Sequence, residues 1–286
     1  MRKLIKYEIK GSYKFILGII AIVLIASTII QLNVLKEIKN DIRISGPSMS
    51  IFEGFMFALS ILVIFGAFLV AFFHIIGSFR KELYEDRGYL TFTLPLSGNR
   101  ILGAKLIVAN IWFLALGTST LVFNVILTTI LHGTKWIETI RKIFGVIEPN
   151  IIYSIIISSL VVTTISFILT LVLVYLSITL SRVSVKNKRI GGLWFIVFII
   201  LNGILGFITV KVSTLFPYFL NLNNFSIVHN YDIYSFTGIT SGLGQLLLYG
   251  GDFNSYINIF GNLFQIAIAV LGFMGTGYLI EKKIDL

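Results

Sequence analysis

The chain has 286 residues, of which 56% are hydrophobic and only 13% are charged, and its mean hydropathy is +0.93. Soluble globular proteins carry about 25% charged residues, so this composition excludes an ordinary soluble domain and indicates that lipid surrounds most of the chain. The net charge of +10 does not indicate nucleic-acid binding, because the basic residues cluster at the ends of apolar runs, where they orient membrane proteins. The absence of cysteine from the sequence excludes disulfides and thiolate chemistry.

The first 14 residues alternate basic and apolar side chains ahead of the first long apolar run. This pattern is typical of an amphipathic helix that lies on the inner leaflet, and it equally suits a simple orientation signal. Because further apolar runs follow and no A-x-A site ends the first one, we do not expect a cleaved signal peptide.

Six apolar runs are long enough to cross the hydrocarbon as helices, which takes about 20 residues each. They predict an all-α polytopic membrane protein in which residues 1–286 form a single transmembrane domain. The fourth run is longer than a bilayer needs, so we expect that helix to tilt, kink or project into water. The predicted spans are about 15–32, 55–79, 106–131, 151–180, 190–210 and 257–280.

The distribution of Lys and Arg predicts the orientation of these spans. With the N-terminus inside, the inner segments hold 16 of the 23 Lys and Arg residues and the outer loops hold 7. This bias predicts a multi-pass protein of the cell membrane with both termini in the cytoplasm. The same orientation places the loop 80–105 inside and the loop 211–256 outside.

The inner segment 80–100 stands out because it concentrates charge between two nearly charge-free runs. It begins with the charged cluster RKELYEDR, for which a short helix ending near Gly88 is predicted, and continues as YLTFTLPLS. A solvated connector does not need several large apolar side chains, so we interpret the segment as a docking surface in which charge gives orientation and apolar side chains give burial. The predicted docking residues are Glu82, Tyr84, Glu85, Asp86, Arg87, Tyr89, Leu90, Phe92 and Leu94.

The second and fifth predicted spans are rich in aromatic residues and carry no charge in their central portions. An uncharged aromatic wall suits an amphipathic or greasy cargo, although lipid-facing Phe residues and helix packing explain the same pattern. The candidate pathway-lining residues are Phe65, Phe68, Phe72, Trp194, Phe198 and Asn202.

The segment 211–256 is an apolar outer loop that is rich in Phe, Tyr and Asn and nearly devoid of Lys and Arg. Because water is a poor solvent for so apolar a loop, we expect short helices that dip into the outer leaflet, with residues 242–251 as one candidate. These elements either close a pathway from outside or only pack against the spans.

The sequence contains no G-x-x-x-x-G-K-[ST], H-E-x-x-H or G-x-S-x-G motif and no metal-ligand cluster. It therefore predicts a chain that is not an enzyme and that has no catalytic residues, no metal and no cofactor of its own. The central parts of the spans also lack Asp, Glu, Lys and Arg. This disfavours ion-driven carriers and channels with charged rings, so the energy for any transport has to come from another subunit.

Residues 82–97, ELYEDRGYLTFTLPLS, lie between the second and third predicted spans. They resemble the permease subunits of the ABC-2 superfamily, and more narrowly those of low-GC Gram-positive bacteria, in which a G-Y-L-T-x-T-L-P stretch recurs. In outline the resemblance covers the whole chain. It implies that residues around 80–97 form a coupling helix and its continuation, seated in a groove of a separate ABC ATPase that binds ATP and Mg. It also implies a dimer with a second permease copy or paralogue, with the second and fifth spans lining the pathway.

The expected function is therefore that of a permease subunit of an ATP-driven exporter. Among such permeases, exporters of amphipathic peptides match the size and the apolar outer loop best, including those for phenol-soluble modulins and those of bacteriocin or lantibiotic immunity systems. Two alternatives remain open: a drug or lipid exporter permease of the same architecture, and a membrane scaffold or sensor that transports nothing.

Overall fold

Six long helices dominate the computed structural model, which describes residues 2–41, 51–84, 97–133, 136–138, 141, 149–184, 192–222, 224–229, 247–248 and 255–282. The helices are α1 (Arg2–Asp41), α2 (Ile51–Tyr84), α3 (Gly98–His132), α4 (Pro149–Ser184), α5 (Leu193–Leu215) and α6 (Ile259–Lys282). Each is long and apolar enough to cross a membrane. The prediction of a helical, multi-pass membrane protein is thereby confirmed.

The helices begin and end at different residues from the predicted spans. The largest difference is in α1, which runs unbroken from Arg2 to Asp41. A 40-residue helix is about 60 Å long, roughly twice the thickness of the hydrocarbon. The separate helix predicted over residues 1–14 is therefore the first part of α1. The predicted coupling helix falls largely on residues 85–96, which lie outside the described residues.

The chain divides into two compact units, and α2 and α3 each contribute residues to both. The first unit comprises residues 1–78 and 107–141. Its core joins α1, α2 and α3, and the alanines of α2 allow close helix packing there. The buried members of this core are Ile16, Ile19, Val23, Ala67, Ala71, Val108, Trp112 and Leu116.

The second unit comprises residues 79–106 and 142–286, and α4 is its central helix. Five consecutive α4 residues, 171–175, are almost completely buried, as expected for a helix with neighbours on every side. Both α5 and α6 pack against α4. The contact with α6 is close: a Cβ added at Gly272 would lie 2.8 Å from Val172 Cγ1.

A small antiparallel sheet connects α5 to α6. Its strands are β1 (Tyr218–Asn221), β2 (Ile227–His229), β3 (Leu247–Leu248) and β4 (Ser255–Asn258), in the order β2-β1-β4-β3. The short helix predicted over 242–251 is wrong at Leu247 and Leu248, which pair with β4. Composition misleads here because a short apolar run suits a strand as well as a helix, whereas cross-strand pairing decides between them.

Candidate functional site

The described residues that flank the segment 85–96 form one packed structure, which we call the loop base: residues 79–84 at the end of α2 and 97–106 at the start of α3. Both parts belong to the second unit, together with α4, α5 and α6. Phe79 and Leu83 on one side and Ile101 and Leu102 on the other are almost completely buried. The two ends of the predicted docking segment are therefore fixed by packing.

A buried ion pair joins the two parts of the loop base. Lys105 Nζ donates a hydrogen bond to Glu82 Oε1 over 2.9 Å, and the side chains are only 2% and 18% exposed, respectively. Lysine is almost never this buried without a paired charge, and removing one partner of such a pair leaves an uncompensated charge in a poorly solvated place. The Glu82 carboxylate thus joins α2 to α3 inside the protein, and its contact with a partner stays a prediction.

The last turns of α2 are also attached to α4. The Arg182 guanidinium lies 5.3 Å from the centre of the Tyr84 ring, a cation–π arrangement. One and a half turns earlier on α2, the rings of Phe79 and Tyr175 pack with their centres 4.4 Å apart. Tyr84 is half-buried by these surroundings, so α4 positions one of the two predicted docking residues that the structure describes, the other being Glu82.

The first turn of α3 is attached to the end of α6. The Gly98 N–H donates a hydrogen bond to Glu281 Oε1 over 2.6 Å, which gives one of the four orphan amides of a helix N-terminus an acceptor and places a carboxylate at the positive end of the helix dipole. The two backbones approach so closely that a Cβ at Gly98 would lie 2.7 Å from Gly277 O, and a Cβ at Gly277 would collide with the Asn99 side chain. The contact therefore requires glycine at position 98, whereas a Cβ at position 277 would require the Asn99 side chain to move.

Most of the predicted docking residues lie outside the described part of the chain. Their role in docking stays a prediction, and they are Glu85, Asp86, Arg87, Tyr89, Leu90, Phe92 and Leu94. Sequence reasoning missed the side chains that hold the loop base, namely Lys105, Arg182 and Glu281. The one available signal was Lys105, a lone charge within the apolar stretch ILGAKLIVA.

The predicted pathway-lining residues fall in both units. In the first unit, Phe65 is exposed, Phe68 packs against the core, and the Phe72 ring meets that of Phe73 edge to face with centres 5.9 Å apart. In the second unit, Trp194 and Phe198 are partly buried and Asn202 is exposed. Lipid and a transport pathway both suit these environments, so the lining role stays a prediction.

The described residues of the loop base connect the ends of several helices. The end of α2 is attached to the start of α3 by an ion pair and to the end of α4 by a cation–π contact, and the start of α3 is attached to the end of α6 by a capped amide. Comparisons of the chain with models of known protein families, with curated proteins and with solved structures gave no match.

Proposed function

We propose that this chain is the membrane-spanning permease subunit of an ATP-driven ABC-2 exporter that moves amphipathic or antimicrobial peptides out of the cell. A separate ABC ATPase binds ATP and Mg and docks on residues 80–97. A second permease, either a copy or a paralogue, completes the pathway in the cell membrane, and both termini lie in the cytoplasm. The observation that supports this proposal best is the construction of the loop base.

A segment that receives force from a partner has to be held at both ends, because a loosely tethered loop would move without moving the helices. Both ends of the segment 85–96 are held by buried side chains, and the Glu82–Lys105 pair adds a charge-assisted bond between them. Breaking a buried pair of this kind costs about 3–5 kcal/mol. The attachment therefore resists displacement by a partner that pushes on the segment.

The attachments also determine which helices would respond. Arg182 belongs to the last turn of α4, and Glu281 belongs to the last turn of α6. A displacement of the segment 85–96 by a closing ATPase would thus reach α4 and α6, as well as the two helices that the segment connects. This is the arrangement that converts ATP-driven closure of a partner into movement of several spans.

The proposal is tested by asking whether a neighbouring reading frame encodes an ABC ATPase, purifying the full chain with that ATPase, and reconstituting the complex in inside-out vesicles. We expect co-purification, ATP hydrolysis and ATP-dependent uptake of a fluorescent amphipathic peptide. Replacing Arg87 and Leu90 together with Ala should reduce both co-purification and hydrolysis. Lys211→Ala, which removes an exposed charge near the C-terminal end of α5, is the matched control and should change neither.

The outcomes separate the alternatives. Uptake of a fluorescent lipid or drug in place of the peptide would move the assignment to the drug or lipid exporter. Failure to bind any ATPase, with the chain correctly inserted, would contradict the proposal and favour the scaffold or sensor. Unchanged ATPase binding by the double variant would contradict docking on residues 80–97 while leaving transport intact.

A further inference from the structure

The turn between β1 and β2 presents a large aromatic side chain in an unfavourable backbone conformation. Phe225 is 75% exposed, and of the described non-glycine residues it alone has a positive φ, +53°. Bulky residues are genuine outliers in this left-handed region, which glycine or asparagine adopts more easily. An exposed Phe here contributes little to the core of the protein, so the position indicates a contact outside the chain.

Local hydrogen bonds hold the turn in this shape. Asn224 Oδ1 accepts hydrogen bonds from the Ser226 N–H over 3.1 Å and from the Ser226 hydroxyl over 2.6 Å. The Asn221 N–H closes the turn by donating to Ser226 O over 2.8 Å. The backbone on both sides of Phe225 is thereby fixed, and its side chain is presented rather than left to collapse onto the sheet.

The two faces of the hairpin differ in what they contact. On one face, Phe219 and Val228 pack with Tyr256 to form a small core. The register pairs Leu220 with Ile227, which places Ile227 on the opposite face, where it is 65% exposed. The second face therefore adds an exposed apolar side chain, that of Ile227, two residues after Phe225.

This exposed face is continuous with the ends of two candidate spans. β1 begins three residues after the last residue of α5, and β4 runs directly into α6. The ring of Phe260 on α6 lies 4.9 Å from that of Phe216 and 5.6 Å from that of Tyr218, whose ring lies 4.8 Å from that of His229. A row of rings thus leads from a spanning helix onto the hairpin, as is typical of aromatic residues at the membrane–water interface.

We propose that the β1–β2 hairpin anchors the sheet in the lipid bilayer, with Phe225 and Ile227 inserted at the boundary between headgroups and acyl chains in the leaflet that contains the C-terminal end of α5. Residues 218–229 contain no Asp, Glu, Lys or Arg, so insertion requires no desolvation of a fixed charge. Lipid is favoured over a protein partner because the apolar surface is continuous with the lipid-facing helices. The anchor is independent of which cargo the protein carries and of whether it carries one.

The absence of cysteine from the chain makes a direct test possible. Phe225→Cys and Ile227→Cys are each made in the full chain, spin-labelled, and reconstituted in vesicles of phosphatidylcholine and phosphatidylglycerol. Collision rates with oxygen, which concentrates in lipid, and with a neutral nickel chelate, which stays in water, are then measured by electron paramagnetic resonance. Ile204→Cys, an exposed position in the middle of α5, is the lipid control, and Ser97→Cys, exposed at the start of α3, is the water control.

Both hairpin labels should resemble the label at position 204, colliding with oxygen more often than with the nickel chelate. Labels that follow the pattern at position 97 would overturn the proposal. Labels that neither reagent reaches would overturn it in favour of a protein contact. Position 227 lies in a regular strand, where a substitution does not strain the backbone. Its label therefore keeps the test valid even if the turn at position 225 tolerates no substitution.

Discussion

The buried ion pair of the loop base makes the sharpest quantitative prediction. Glu82→Met removes both the charge and the acceptor that face Lys105, whose side chain is 2% exposed. Removing one partner of a buried ion pair costs about 3–5 kcal/mol. Lys81→Met, the matched control, removes a neighbouring charge that is exposed, and we expect it to change stability by less than about 0.5 kcal/mol.

The double variant Glu82→Met with Lys105→Met distinguishes an unpaired charge from lost packing. Replacing both partners of a buried pair with apolar residues of similar size is often neutral, so we expect the double variant to be more stable than Glu82→Met alone. Unfolding in detergent is followed by the fluorescence of the three tryptophans. Lys105→Met alone is measured as well; if the losses caused by Glu82→Met and by Lys105→Met add up in the double variant, the pair is not coupled and the argument for a rigid loop base fails.

Three further changes test other contacts by the same unfolding measurement. Glu281→Ala removes the cap on the first turn of α3 and should cost about 1 kcal/mol, whereas Glu281→Gln keeps an acceptor and should cost less; equal losses would argue against capping. Gly272→Ala forces a Cβ to within 2.8 Å of Val172 Cγ1 and should cost about 1–3 kcal/mol. Adding Val172→Ala should recover part of that loss, and no recovery would mean that the clash lies elsewhere. Ser12→Ala removes the acceptor of the 2.8 Å hydrogen bond from Trp112 Nε1 and should cost about 1–3 kcal/mol, because a buried donor is left unsatisfied. If the free energy of unfolding changes no more than it does when an exposed residue is substituted, the indole has found another acceptor.

Hydropathy predicted the six helices because each needs only a sufficient run of apolar residues, a local property of the sequence. It could not predict where they end. α1 continues to Arg2 on one side and to Asp41 on the other, since backbone hydrogen bonding continues through polar residues once the helix has left the lipid. The sheet between α5 and α6 was missed for a related reason: its strands exist through pairing with one another. Phe219 pairs with Asn258, which lies 39 positions later in the chain, a separation that periodicity within a short window does not register.

The contacts of the loop base could not be predicted from the sequence, because they join residues that lie far apart in the chain. Lys105 and Glu82 are 23 residues apart, and Gly98 and Glu281 are 183 residues apart. Charge patterning singled out the segment 80–100 and predicted Glu82 as a docking residue, which stays a prediction. Its pairing with Lys105 depends on how the start of α3 returns past the end of α2, which is a property of the fold.

This pairing changes which residues can serve a docking partner. A carboxylate that already accepts a hydrogen bond from a buried lysine is poorly placed to bind a second protein as well. Losing it would weaken docking indirectly, because both ends of the segment 85–96 would be held less firmly. Effects of Glu82 substitutions on a partner ATPase therefore have to be compared with their effects on unfolding. If the side chains of Arg87 and Leu90 contact the partner, substituting them should weaken docking without lowering the stability of the chain to unfolding. Comparing loss of docking with loss of stability therefore distinguishes the surface that receives the force from the structure that transmits it to α4 and α6.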